Sequence, residues 1–130
     1  MKKTLLVLAA LAAVGTAQAQ TTDTLKKIKD SGSITLGVRE SSGLSYTIGN
    51  GKFVGFHTEM AERVIADIRK QLGLSSLEVK YQPVTSQNRI PLVQNGTVDL
   101  ECGSTTNNVE RQQQVDFSVG IFEIGTRLLS

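Results

Sequence analysis

The chemistry of this chain is concentrated between Thr85 and Arg111, in the run TSQNRIPLVQNGTVDLECGSTTNNVER. Ser86 and Arg89 precede a short apolar segment, and a loop rich in Gly, Ser, Thr and Asn ends on Arg111. A planar guanidinium donates two parallel hydrogen bonds to a carboxylate, and a helix start adds backbone N–H donors. Arg111 therefore suits one carboxylate clamp, and Arg39 and Arg89 with Ser86 suit a second. The Thr106 hydroxyl and the carbonyls near Ser104 are acceptors for a cationic amine. The set fits a small ligand with more than one carboxylate and an ammonium group. Charge-assisted hydrogen bonds contribute about 1.5 to 3 kcal/mol each. Micromolar binding needs about 8 kcal/mol, so a few well-formed ones suffice.

Each of these residues has a plainer reading when taken alone. A surface Arg is most often solvated, and a loop Ser or Thr most often caps a helix or forms a turn. What distinguishes the set is its placement after successive strands. Chemistry beyond binding has little support: there is no nucleophile elbow, phosphate-binding glycine loop, metal-ligand spacing or placeable acid–base pair. No catalytic residue, metal or cofactor is expected. His57, the lone histidine, reads as a surface or capping residue. Cys102 reads as a small buried residue beside Gly103, or as half of a disulfide to a cysteine outside the chain.

The elements that must position these groups follow from periodicity. Leu25 and Ile28 form the apolar side of a helix stopped at Ser31-Gly32, with Lys26, Lys27 and Lys29 expected in water. Ile34 to Val38 reads as a strand that delivers Arg39. Tyr46 to Ile48 and Lys52 to Val54 flank Asn50-Gly51 as a hairpin, because that dipeptide accepts the positive φ of a tight turn. A helix is expected from Thr58 as N-cap, with Met60, Val64, Ile68 and Leu72 in one row and Ala61 and Ile65 beside it. Leu77 to Tyr81 is a second strand, and Pro91 must lie in the first turn of the next helix, which Asn95-Gly96 closes. Val98 to Glu101 reads as a buried strand, Val115 to Phe117 as a short one, and Ile121 to Leu129 as an extended run. Strand alternating with helix implies an α/β fold with a mainly parallel sheet flanked by helices. In such sheets ligands bind outside the carboxyl ends of the strands, which collects Arg39, Ser86, Arg89, Ser104, Thr106 and Arg111 at one edge.

A chain of 130 residues fits one small domain or part of a larger one. Met1-Lys2-Lys3, an apolar run of roughly ten residues and the small-x-small ending Ala17-Gln18-Ala19 form a secretory signal pattern over residues 1–19, with cleavage expected after Ala19. The run is short of the ~20 residues of a membrane-spanning helix. Of the 14 basic residues, Lys2 and Lys3 belong to that leader, so the remainder equals the 12 acidic residues. With no basic stripe in view, nucleic acid is not expected as a partner.

The Thr85–Arg111 run, together with GVRESS at 37–42 and GFHTEMAERVI at 55–65, closely resembles the glutamate/aspartate-binding members of solute-binding protein family 3, which serve amino-acid ABC importers. The likeness covers essentially all of residues 20–130. It implies two α/β lobes joined by hinge strands, of which this chain carries an incomplete first lobe. It also implies a monomer in the periplasm that binds L-glutamate or L-aspartate and hands it to an inner-membrane ABC permease. By the same resemblance, Arg39, Ser86 and Arg89 meet the ligand's side-chain carboxylate, Ser104 and Thr106 its amino group, and Arg111 its α-carboxylate. The chain departs from the family pattern at His57, where an acidic residue is common, and near Gly43-Leu44, where a Pro-aromatic pair is frequent. The same fold also serves periplasmic dehydratases and receptor sensor domains, so fold alone does not decide function.

Overall fold

The computed structural model describes residues 23–40, 43–123 and 125. The expected leader and the greater part of the Ile121–Leu129 run lie outside them. The first helix, α1 (Thr24–Ser31), begins where the Asp23 side chain accepts from Lys26 N and stops at Gly32, whose φ of 65° lets its N–H return to the Ile28 carbonyl. Its inward residue, Ile28, is fully buried.

Strand β1 (Ser33–Val38) is the centre of the sheet. It pairs in parallel with β4 (Glu78–Pro83) on one side and with β5 (Leu100–Glu101) on the other. A central parallel strand is covered on both faces, which fits the apolar-rich run Ile34 to Val38, interrupted only by Thr35 and Gly37. Ile34, Leu36 and Val38 join Ile28, Phe53, Ala61 and Ile65 in one core. Burying each such aliphatic side chain contributes about 1.5 to 3 kcal/mol before the entropy of ordering the chain is counted.

The hairpin comprises β2 (Tyr46–Thr47) and β3 (Phe53–Val54). Its turn runs Gly49-Asn50-Gly51-Lys52, with φ of 53° at Asn50 and 70° at Gly51 and a 3.0 Å bond from Lys52 N to the Gly49 carbonyl. This is the primed turn expected of Asn-Gly.

Helix α2 (Phe56–Gln71) has its N-cap three residues earlier than expected. Gly55 is its N-cap at φ 119°, and a Cβ there would lie 2.5 Å from the Leu44 carbonyl oxygen. Thr58 is therefore not a cap: it is buried in the first turn, its hydroxyl 3.3 Å from that of Ser45. The inward face is His57, Thr58, Ala61 and Ile65, while Val64 is exposed. The start is displaced because the segment leading into the hairpin docks on it, His57 N donating to the Leu44 carbonyl at 3.0 Å.

Helix α3 (Arg89–Gln94) carries Pro91 in its first turn, as its missing N–H requires. Val115–Phe117 forms no strand; the chain there follows a one-turn helix, α4 (Val109–Gln112), that periodicity could not reveal.

Candidate ligand-binding site

Each parallel strand delivers a guanidinium from its carboxyl end. β1 runs into Arg39, β4 leads through the Thr85 turn to Arg89, and β5 leads through residues 102–108 to Arg111. Local hydrogen bonding shapes each approach. Thr85 N donates to Asn88 Oδ1 at 2.7 Å and Asn88 N to Thr85 Oγ1 at 3.2 Å, a reciprocal pair that closes the turn leading into α3. The Asn108 side chain accepts from Arg111 N at 2.9 Å and opens α4.

The side chains then tie the three ends together. Arg39 Nη1 donates to Ser104 Oγ at 3.2 Å, joining the end of β1 to the loop after β5. Arg111 Nη1 donates to the Thr106 carbonyl at 2.9 Å. Arg89 is the buried member, 4% exposed, with Glu101 as its counter-charge at 3.8 Å. Burial pushes the Arg89 guanidinium below its ordinary value and Glu101 opposes that push, whereas the charges of Arg39 and Arg111 add to it. The charges of Arg39 and Arg111 are thus felt at Arg89. Ser86 lies exposed in the turn before α3.

Two residues at this end of the sheet lie outside the reading from residue types. Glu101 sits beneath Arg89, and its second oxygen accepts from Thr105 Oγ1 at 2.7 Å. An acid inside a buried strand requires a partner, and that was the signal available in the sequence. His57 is not at the surface: it is 2% exposed, and its Nδ1 has no hydrogen-bond partner among the described residues. Burial holds its imidazole below the ordinary value, against a smaller upward push from Glu101. Cys102 is a free thiol whose pKa is pushed up to about 11, by burial first and then by Glu101, so it is a poor nucleophile.

A separate cavity of about 400 Å³ opens between α2, α3, β5 and residues 115–121. Met60, Val64, Val93 and Leu100 line it together with Arg89, Glu101, Gly103 and Thr105, so it adjoins the candidate site, while Arg39, Ser104, Thr106 and Arg111 lie outside it. Its apolar walls suit hydrocarbon, so the polar end of the strands is the better place for a charged ligand. Among the described residues no group of His, Cys, Asp and Glu could hold a metal ion.

Residues 34–130 match the bacterial extracellular solute-binding proteins, family 3. The chain belongs to that family. It is 56% identical over 126 residues to the L-glutamate/L-aspartate-binding protein of Pseudomonas aeruginosa, covering 95% of this chain and 42% of that protein. Over 108 residues it is 53% identical to the glutamate/aspartate import solute-binding protein of Escherichia coli K12, covering 82% of this chain and 36% of the other. The chain therefore spans about two fifths of the length of these relatives. Among solved structures of the same fold, the ancestral amino acid-binding protein AncCDT-1, a precursor of cyclohexadienyl dehydratase, superposes with a TM-score of 0.62 at 30% identity. That match covers 74% of this chain and 40% of the other. The arginine-bound form of domain 1 from TmArgBP gives a TM-score of 0.61 at 25% identity, covering 75% of this chain and 71% of that domain. Family 3 membership thus meets a single-lobe architecture with a parallel sheet.

Proposed function

We propose that residues 20–130 form the first lobe of a two-lobed binding protein that captures L-glutamate or L-aspartate in the periplasm and delivers it to an inner-membrane ABC permease. The observation that carries this is the delivery of Arg39, Arg89 and Arg111 from the carboxyl ends of three parallel strands, with Ser104 bonded to Arg39 and the Thr106 carbonyl to Arg111. Arg111 clamps the α-carboxylate, Ser104 and Thr106 take the ammonium, and Arg39, Ser86 and Arg89 read the side-chain carboxylate. Residues 1–19 act as the export leader, and the protein works as a monomer without nucleic acid. The names of both curated relatives describe binding or import of acidic amino acids, which supports this reading over a dehydratase or a receptor sensor.

Calorimetry on the complete protein with a panel of amino acids tests the proposal. L-Glutamate or L-aspartate binds at micromolar Kd or tighter, and L-glutamine at least about tenfold more weakly. Equal affinity for glutamine and glutamate removes the assigned role of Arg89, and no heat with any amino acid removes the function. Residues 20–130 alone bind feebly, since half the pocket and the closing motion are then missing.

A further inference from the structure

Arg89 and Glu101 form an unusual pair. Their side chains are 5% and 10% exposed, yet the nearest N–O separation, Nη1 to Oε1, is 3.8 Å. That is close enough to compensate charge and too long for a hydrogen bond. Among the described residues, Arg89 Nε, Arg89 Nη1 and Glu101 Oε1 have no hydrogen-bond partner. A buried arginine that is charge-balanced with two donor atoms unspent is poised to take a further acceptor.

The other carboxylate oxygen is fully engaged. Glu101 Oε2 accepts from Thr105 Oγ1 at 2.7 Å, the short distance of a charge-assisted bond. Thr105 stands between Ser104, which receives Arg39, and Thr106, whose carbonyl receives Arg111. Fixing Thr105 therefore fixes both neighbours. The carboxylate also depends on Gly103, where a Cβ would lie 2.5 Å from Oε1.

We infer that Glu101 is a positioning residue of the amino acid site, acting on it through two separate arms. Through Oε1 it balances Arg89 without consuming its donors, so that the guanidinium stays turned toward an incoming side-chain carboxylate. Through Oε2 and Thr105 it holds the loop that presents Ser104 and Thr106 to the amino group. The inference rests on the proposed binding of an acidic amino acid.

Because the arms read different parts of the ligand, they separate experimentally. Titration calorimetry on the complete protein compares L-glutamate with L-glutamine for the parent and three variants, with thermal melts as the check on folding. Glu101→Gln keeps shape and an acceptor for Thr105 but loses the charge, and the glutamate-over-glutamine ratio falls roughly tenfold, the scale of one charge-assisted hydrogen bond. Gly103→Ala, which displaces Oε1 without altering any charge, lowers the ratio in the same direction and serves if Glu101→Gln does not fold. Thr105→Val weakens both ligands by about the same factor, roughly fivefold to tenfold, and leaves the ratio in place. A merely structural Glu101 would weaken both ligands alike in Glu101→Gln. That outcome, or a Thr105→Val variant with unchanged affinities, overturns the inference while leaving the proposed function standing. A parent protein that binds neither glutamate nor aspartate overturns both.

Discussion

Lys27 Nζ lies 2.7 Å from Asp99 Oδ1 across 72 positions of sequence, and the same ammonium donates to the Gly96 carbonyl at 2.6 Å. A lysine expected to face water instead bolts α1 to the turn that feeds β5. The Asp99 side chain is 3% exposed and also accepts from Thr35 N at 2.8 Å, so its carboxylate is held by the central strand as well. The pair fixes the level at which β5 enters the sheet, and therefore where the loop carrying Ser104 to Arg111 begins.

Removing the cation leaves that buried carboxylate with only the Thr35 N–H. Lys27→Met is expected to cost about 1 to 3 kcal/mol in urea unfolding, with the midpoint lowered and the slope unchanged. Lys26→Met, which removes only the exposed pair with Asp30 one helical turn away, serves as the control and leaves the midpoint in place. Equal midpoints for the two variants would show that the long-range pair does not stabilise the lobe.

Gly55 combines a φ of 119° with the Leu44 carbonyl where a side chain would start. Gly55→Ala therefore costs more than Gly51→Ala, whose φ of 70° is strained for alanine but whose surroundings are open. The expected difference is roughly 1 to 3 kcal/mol, read as the gap between their thermal or urea midpoints.

The proposed roles of Arg111 and Arg89 separate affinity from selectivity. Arg111→Ala in the complete protein is expected to weaken binding of every amino acid by about a hundredfold or more, the loss of a bidentate carboxylate clamp. Arg89→Ala spares common binding and abolishes the preference for acidic side chains. Titration with glutamate, aspartate, glutamine and alanine distinguishes these patterns, and identical profiles for the two variants would contradict the assignment.

His57 supplies a pH dependence with a definite sign. Its folded pKa lies below the ordinary value of 6.5 because burial disfavours the imidazolium. Between that value and the lower folded one, the unfolded chain binds the proton and the folded chain does not. The stability His57 contributes is thus complete above pH 6.5 and is lost as pH falls toward the folded pKa. His57→Gln flattens the unfolding free energy measured from pH 7.5 down to pH 5.5, above the range where carboxylates titrate. An unchanged slope in that variant would place the titration elsewhere.

Much of this site was legible in one dimension. The order of strands and helices follows from local periodicity, Asn50-Gly51 names its turn, and Pro91 dictates its place in α3, because each depends on residues within a few positions. Once the sheet is taken as parallel, the convergence of Arg39, Arg89 and Arg111 follows from the rule that strand carboxyl ends share an edge. Thr58 escaped that logic: it has the chemistry of a cap, but the segment leading into the hairpin, docked at Leu44, moves the helix start to Gly55.

The amino-acid order alone determined which groups reach the mouth of the sheet, since chain direction and element order are local properties that sum to a topology. Packing decided what lies underneath. Glu101 below Arg89, Lys27 against Asp99 and the buried imidazole of His57 all depend on strand register and on helices settling at a set depth. Register and depth are chosen by the whole core at once, because shifting a strand exchanges its buried and exposed faces, and no window of neighbouring residues carries that choice.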